Sequence, residues 1–227
     1  MLKILVIGDQ SWGKTSIVNR YIHGVFDSKI KATVAWEYSL KLVDIGGTQV
    51  RLNIWDIAGQ DRLGGISKLF WRQAAGAIVV TDIMHENTLE DAIDWKRQVD
   101  EFVSDNDGNG IPMVLAVNKV DLISEYESTG QELEYFMKQE YLDKFANENG
   151  FEGCLRTSAL ENINIDKAFE MLIQKIFELY ATINPETGQH EVDINNVCKN
   201  NSVFMSVRET LSTKNHYKNE NNKKWGC

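Results

Sequence analysis

The sequence predicts an α/β fold: a mostly parallel sheet of about six strands with one antiparallel edge strand, and about five helices. Three observations predict it. Short apolar runs alternate with segments of helical spacing, the pattern of parallel strands joined by right-handed crossovers. One pair of runs is joined by a hairpin signal, Gly46-Gly47, so one strand runs against the others. The first run ends in a glycine-containing loop that opens a helix, an arrangement suited to binding phosphate.

Residues 2–8 (LKILVIG) are a short apolar run ending in glycine, which reads as a buried strand. Residues 13–23 carry helical spacing at Ile17, Val18, Tyr21 and Ile22. Residues 36–45 and 49–57 are the strand-like runs flanking the hairpin signal. Residues 76–83 (GAIVVTDI) and 111–117 (IPMVLAV) are apolar throughout, as parallel strands covered on both faces are. Helical patterns fill 88–104 and 132–149, a short strand lies near 153–157, and a last helix spans 163–181. The loop 123–131 (ISEYESTGQ) is long, and reads better as a tolerated surface loop than as a specialised insertion.

A chain of 227 residues holds one α/β domain and a tail. We expect a domain over 1–183 and a flexible tail over 184–227, where Asn and Lys accumulate and no helical stripe continues. The tail has six Lys/Arg and five Asp/Glu, a charge of +1, so the total of −9 leaves −10 on the domain. That balance argues against a general nucleic-acid binder, which carries a basic face. The three cysteines, Cys154, Cys198 and Cys227, make no disulfide framework and point to a reducing compartment. Met1-Leu2-Lys3 leads straight into the first strand without a signal-peptide pattern, and Leu2 in place of glycine removes N-myristoylation. No run reaches the roughly 18 apolar residues of a spanning helix. The expectation is a protein made soluble, with any membrane attachment added afterwards.

Gly8-Asp9-Gln10-Ser11-Trp12-Gly13-Lys14-Thr15 fits G-x-x-x-x-G-K-[ST] between a strand and a helix, the signature of a P-loop NTPase. Backbone N–H groups of such a loop converge on phosphate oxygens, helped by the helix N-terminus. The candidate phosphate-binding residues are Ser11, Trp12, Gly13, Lys14, Thr15 and Ser16. Lys14 would reach the outer phosphates, and the Thr15 hydroxyl would bind Mg²⁺.

Asn118-Lys119-Val120-Asp121 follows the run 111–117, at the carboxyl end of a strand, where open α/β sheets bind ligands. A carboxylate accepts two hydrogen bonds side by side. Guanine offers N1–H and its exocyclic amine in that arrangement and adenine does not, so Asp121 is a candidate guanine reader. The alternative is an N-x-x-D turn capping the next helix. Asp56-Ile57-Ala58-Gly59-Gln60 closes the strand 49–57. Asp56 can hold Mg²⁺ through water, Gly59 lets a backbone N–H approach the γ-phosphate, and Gln60 can orient the attacking water.

These motifs, with Thr33 between the first and second and Thr157-Ser158-Ala159 after the last, make the chain resemble the Ras superfamily of small GTPases over about residues 2–182. Trp55-Asp56-Ile57-Ala58-Gly59-Gln60 and Phe70-Trp71-Arg72 look like the Rab branch. Ile57 and the stretch from Asn149-Gly150-Phe151 to Asn162-Ile163-Asn164-Ile165 are similar to the Rab subgroup that serves lysosome-related organelles. The resemblance implies a GTP/GDP switch with Mg²⁺ as cofactor, slow hydrolysis, and effectors recruited in vesicle trafficking. A GTP-bound scaffold with little hydrolysis is the competing reading. The resemblance also implies a guanine-nucleotide exchange factor, a GTPase-activating protein, Rab effectors, and an escort protein or GDI as partners. Cycling between cytoplasm and the cytosolic face of endosomal or lysosome-related membranes follows from the same resemblance.

It further implies that Thr33 binds Mg²⁺ only when the γ-phosphate is present. Phe26 would pack on the guanine, Lys119 would lie along the base, and the loop of Ser158 and Ala159 would recognise the guanine oxygen. Tyr38, Trp55 and Phe70 match the aromatic triad that reports nucleotide state to effectors; ordinary core aromatics are the alternative. Cys227, the final residue, stands where Rab proteins carry prenylated cysteines, though with one cysteine in place of two and no C-a-a-X signal. A free terminal thiol is the alternative.

The chain departs from the family at Gln10, Ser11 and Trp12 of the phosphate loop, at Ala35-Trp36-Glu37-Tyr38, at Asp61-Arg62-Leu63, and at Leu160. The expected contacts to Mg²⁺ and guanine survive. The residues that tune hydrolysis and partner choice have changed.

Overall fold

The computed structural model describes residues 1–29, 33, 36–45, 47–59, 70–103, 110–183 and 190–192. Its centre is a six-stranded sheet of β1 (Leu2–Ile7), β2 (Trp36–Ile45), β3 (Thr48–Ile57), β4 (Gly76–Asp82), β5 (Met113–Asn118) and β6 (Gly153–Arg156). The spatial order is β2-β3-β1-β4-β5-β6. β2 runs antiparallel to β3 and every other pair is parallel. The one expected antiparallel edge strand is therefore β2.

β4 and β5 are buried along their whole length because helices cover both faces, which is why their sequences are continuous apolar runs. β2 alternates instead, with Val43 and Ile45 turned inward and Tyr38, Leu40 and Leu42 outward.

Five α-helices lie among the described residues: α1 (Lys14–His23), α2 (Asn87–Val103), α3 (Leu122–Ser128), α4 (Gln139–Glu148) and α5 (Ile165–Tyr180). α5 lies on β4, where a Cβ on Gly76 would come within 2.8 Å of Leu172, so glycine permits the close approach. Trp71, Trp95 and Phe169 are the largest fully buried side chains of the core. Each such side chain removed from water contributes roughly 1.5–3 kcal/mol.

Two local expectations change. Residues 123–128 of the expected loop fall in helix α3. Ile123 buries against the core, and the helix ends where Ser128 and Thr129 turn their hydroxyls onto the carbonyls of Glu125 and Tyr126. The expected single helix over 132–149 is split into a 3-10 turn at Tyr135–Met137 and α4, because Lys138 adopts an extended conformation between them. Beyond α5, β7 (Ala181–Ile183) pairs antiparallel with β8 (His190–Val192), so the expected boundary after residue 183 falls between two paired strands.

Candidate functional site

The carboxyl ends of β1, β3 and β5, with the loop after β6, converge on the N-terminus of α1. The phosphate loop leaves β1 at Gly8 (φ 137°), passes Ser11 (φ 67°), and enters α1 through Gly13 (φ 94°). No side chain caps this helix start, which leaves the first-turn N–H groups for an anion. A Cβ on Gly13 would lie 2.3 Å from Asn118 Nδ2, and one on Gly59 would lie 2.3 Å from Gln10 N. Both glycines are required by close packing.

Lys14 is buried, and its ammonium donates to the Asp9 carbonyl at 2.8 Å. Burial pushes its pKa below the ordinary lysine value, with Asp56 and Asp9 pulling the other way. Asp56 is buried as well, and burial pushes its carboxyl up, opposed chiefly by the Thr15 hydroxyl and by Lys14. Asp56 Oδ2 accepts from Thr15 Oγ1 at 2.6 Å and from Thr33 Oγ1 at 3.1 Å, and the two hydroxyls lie 2.8 Å apart. Three segments remote in sequence thus meet at one carboxylate. Asp56 Oδ1 is buried with no hydrogen-bond partner among the described residues. A half-paired buried anion beside a half-paired buried cation is costly unless a ligand of both signs completes it. Mg²⁺ with a phosphate chain has that chemistry, and these oxygen donors suit a hard cation.

At the other end of the pocket, Asn118 ties three loops together. Its Nδ2 donates to the Trp12 carbonyl at 2.9 Å, and its Oδ1 accepts from Ala159 N at 3.3 Å and from Thr157 Oγ1 at 3.4 Å. Lys119, at φ 68°, pairs with Asp82 Oδ2 at 2.7 Å. Asp121 accepts from Ser158 Oγ at 2.5 Å. Ser16 lies in the first turn of α1, and Phe26 is half-buried just beyond the end of that helix.

Tyr38 and Trp55 face each other across the β2–β3 ladder, ring centroids 6.0 Å apart, and Phe70 lies 5.7 Å from Trp55. The expected triad is therefore one aromatic cluster, with Tyr38 58% exposed. Trp36 sits at its centre, 4.7 Å from Trp55, 4.9 Å from Phe70 and 6.1 Å from Tyr38. The sequence reading did not give Trp36 a role, although its two-residue spacing from Tyr38 put it on the same strand face. Asp82, which holds Lys119, was also missed; it ends an apolar strand without a distinguishing pattern. Gln60 and Cys227 lie outside the described residues.

Residues 3–178 match the Ras family, and the chain belongs to it: the fold is that of a P-loop GTPase. Within that family the relatives mark it as a small GTPase of the Rab subgroup. It is 39% identical to Ras-related protein Rab-32 of Homo sapiens over 194 residues, which is 85% of this chain and 81% of the relative. It is 37% identical to Ras-related protein Rab-32A of Dictyostelium discoideum over 180 residues, 78% of each chain. It is 34% identical to Ras-related protein Rab-7L1 of Homo sapiens over 177 residues, 78% of this chain and 82% of the relative. Members of this family are GTPases that bind GTP and GDP, generally with Mg²⁺.

Proposed function

We propose that this chain is a membrane-trafficking switch that binds GTP with Mg²⁺, hydrolyses it slowly, and recruits effectors through the aromatic face of β2 and β3. The meeting of Thr15, Thr33 and Asp56 carries the reading. Thr15 and Thr33 would ligate Mg²⁺ directly and Asp56 would hold it through water. Because Thr33 belongs to the segment between α1 and β2, its tie to the metal would couple nucleotide state to the start of β2, where Trp36 and Tyr38 stand.

When bound, Mg²⁺ offsets the charge that builds on the phosphate oxygens. Lys14 would move from the Asp9 carbonyl to the outer phosphates. The Gly59 N–H, held against the phosphate loop, would meet the γ-phosphate, and Gln60 would orient the attacking water. Phe26, Lys119, Asp121 and the Ser158–Ala159 loop would enclose the guanine.

The aromatic face continues outward along β2 through Leu40 and Leu42, each 55% exposed. Lys3 lies over the Trp55 ring at 4.0 Å, and Arg51 stands opposite Leu42. On an acidic protein this cation-flanked apolar stripe fits a partner with an apolar face and acidic edges. Residues 184–227 would serve as the tether, with Cys227 as its prenylation site. One lipid chain anchors only reversibly, and Lys223-Lys224 would add roughly 1 kcal/mol each at an anionic surface. That favours cycling between membrane and cytosol.

One observation favours the scaffold reading. Ser11 holds a left-handed backbone in the loop that receives the phosphates, and Gln10 is exposed beside it. The test is to identify the nucleotide that copurifies with the full chain and to follow GTP in single turnover, with Gln60→Leu alongside. GDP and measurable turnover slowed by Gln60→Leu support the switch. Retained GTP with no turnover supports the scaffold, and ATP or ADP sinks both. The intact mass of the membrane-associated protein, with Cys227→Ser as control, tests the lipid.

A further inference from the structure

Arg20 lies in the last turn of α1, and its guanidinium donates to three backbone carbonyls. Nη1 reaches the Gly24 oxygen at 2.7 Å, Nε the Ala159 oxygen at 2.8 Å, and Nη2 the Leu160 oxygen at 2.8 Å. Gly24 caps α1 with a left-handed backbone (φ 69°), and the chain runs from it to Phe26 two residues on. Ala159 and Leu160 belong to the loop on the far side of the candidate base pocket. One planar fork thus clamps the two walls between which a flat base would lie.

We propose that Arg20 is a positioning residue for guanine recognition: it sets the separation and tilt of the Phe26 wall and the Ser158–Ala159 wall. The inference rests on the reading of this pocket as a guanine site. Peptide planes are rigid, so holding the carbonyls of Ala159 and Leu160 fixes two successive planes and, with them, the directions of the Leu160 and Glu161 N–H groups. Besides Arg20, the stretch is held by the Glu161 N–H on Ser158 Oγ at 3.0 Å, a bond within the loop that does not tie it to α1. Ala159 N reaches Asn118 Oδ1 only at 3.3 Å. The pairing of Ser158 with Ile163 secures the flanks of the turn and leaves its tip to other contacts. The Leu160 side chain is 50% exposed and anchors little by packing.

A guanidinium fits the task better than an ammonium. Its donors leave in fixed, coplanar directions, so three carbonyls on two loops are held at once, where lysine's ammonium on a flexible stem holds them less rigidly. The position in the last turn of α1 adds a favourable interaction with the negative helix end and discourages the side chain from swinging away.

The experiment measures GDP dissociation from the full chain at saturating Mg²⁺, and GDP-over-ADP preference by competition, for wild type, Arg20→Lys and Arg20→Gln. Expected is GDP release at least tenfold faster in Arg20→Gln, a rate in between for Arg20→Lys, and a fall in GDP-over-ADP preference in step. Rates and preferences within twofold of wild type overturn the proposal. So does a lower melting temperature with both of these unchanged, which would make Arg20 a purely structural clamp. If Arg20→Gln does not fold, the Arg20→Lys rate and preference decide alone. A wild type that does not prefer GDP over ADP would instead sink the guanine reading itself.

Discussion

Ser158 donates its hydroxyl hydrogen to Asp121 Oδ1 at 2.5 Å, and the same Ser158 oxygen accepts the Glu161 N–H at 3.0 Å. The carboxylate expected to read the base is therefore held by the loop that would read the neighbouring oxygen on the same edge of the ring. The bond sets the direction in which the carboxylate faces.

That relationship makes base selection sensitive to either residue. Asp121→Asn replaces an acceptor with an amide donor, which matches the oxygen xanthine carries in place of the guanine amine. A hydrogen bond to a charged group is worth roughly 1.5–3 kcal/mol, so GDP affinity should fall about 10- to 150-fold while XDP affinity rises. Ser158→Ala should weaken GDP less, because it frees the carboxylate without removing it. A competition assay with GDP, XDP and ADP reads both, and unchanged selectivity in Asp121→Asn would remove the assignment.

Ser11 carries a side chain at φ 67°. A left-handed backbone costs a non-glycine residue roughly 1–2 kcal/mol, against roughly 0.5–1 kcal/mol of extra unfolded-state entropy for glycine. Ser11→Gly should therefore stabilise the protein by about 0.5–1 kcal/mol, a rise of roughly 1–4 °C in melting temperature. The pair Gln10→Ser with Ser11→Gly should also raise turnover stimulated by an activating protein that inserts an arginine. Unchanged stimulated turnover would show that the loop accommodates its present residues, and the scaffold reading would lose its main support.

Metal binding should depend on pH through Asp56. Burial raises its pKa, so as pH falls the carboxyl takes up a proton earlier than an exposed aspartate does. Mg²⁺ needs the ionised form. Magnesium affinity of the GDP complex should therefore drop on acidification while exposed carboxylates are still charged. Stability runs the other way in nucleotide-free protein. A raised folded pKa means the folded state binds the proton more tightly, so the Asp56 contribution is most favourable below the unfolded value and is lost as pH rises through the folded one. Magnesium titrations across pH, with Asp56→Asn as control, check the first; nucleotide-free melting across pH checks the second.

Trp36 should matter to partner binding about as much as the three expected aromatics. Its ring contacts all of them, so Trp36→Ala should remove the centre of the cluster and cost a partner about 2 kcal/mol, roughly 30-fold in affinity. GDP release should stay within a fewfold of wild type. Affinity of any partner selective for the GTP form, measured with Trp36→Ala and Trp36→Phe side by side, decides it. Full binding by Trp36→Ala would confine the contact to other residues.

The sheet was legible because its strands are either continuously apolar, as in Ala77–Val80, or joined by a hairpin signal, as β2 and β3 are at Gly46-Gly47. The phosphate and base loops were legible because few residue types can do their chemistry at those spacings. Helix α3 was not, since seven residues with Ile123 as the one buried side chain leave no stripe to read. Trp12 was legible as a member of the phosphate loop and as an unusual substitution, but not as a packing residue. It is 7% exposed and packs over Gly8, where a Cβ would fall 2.9 Å from its ring. Arg20 carried no signal, because its three acceptors are backbone oxygens, two of them 139 and 140 residues away. Pattern reading finds side chains that share a face; it cannot find a side chain that holds main chain from a remote loop.

The Trp95 indole donates to Asp9 Oδ1 at 2.7 Å, directly in the phosphate loop. Tryptophan emission shifts with the charge near the ring and with the strength of the bond to its N–H. The side chain is fully buried, with Trp71 6.4 Å away, so its ring is shielded from collisional quenching by solutes. If nucleotide loading changes the field at Asp9, Trp95 should report it as a shift in emission. Nucleotide exchange should then be visible in unlabelled protein by ultraviolet fluorescence, and a signal that survives Trp95→Phe unchanged would assign it to the other indoles.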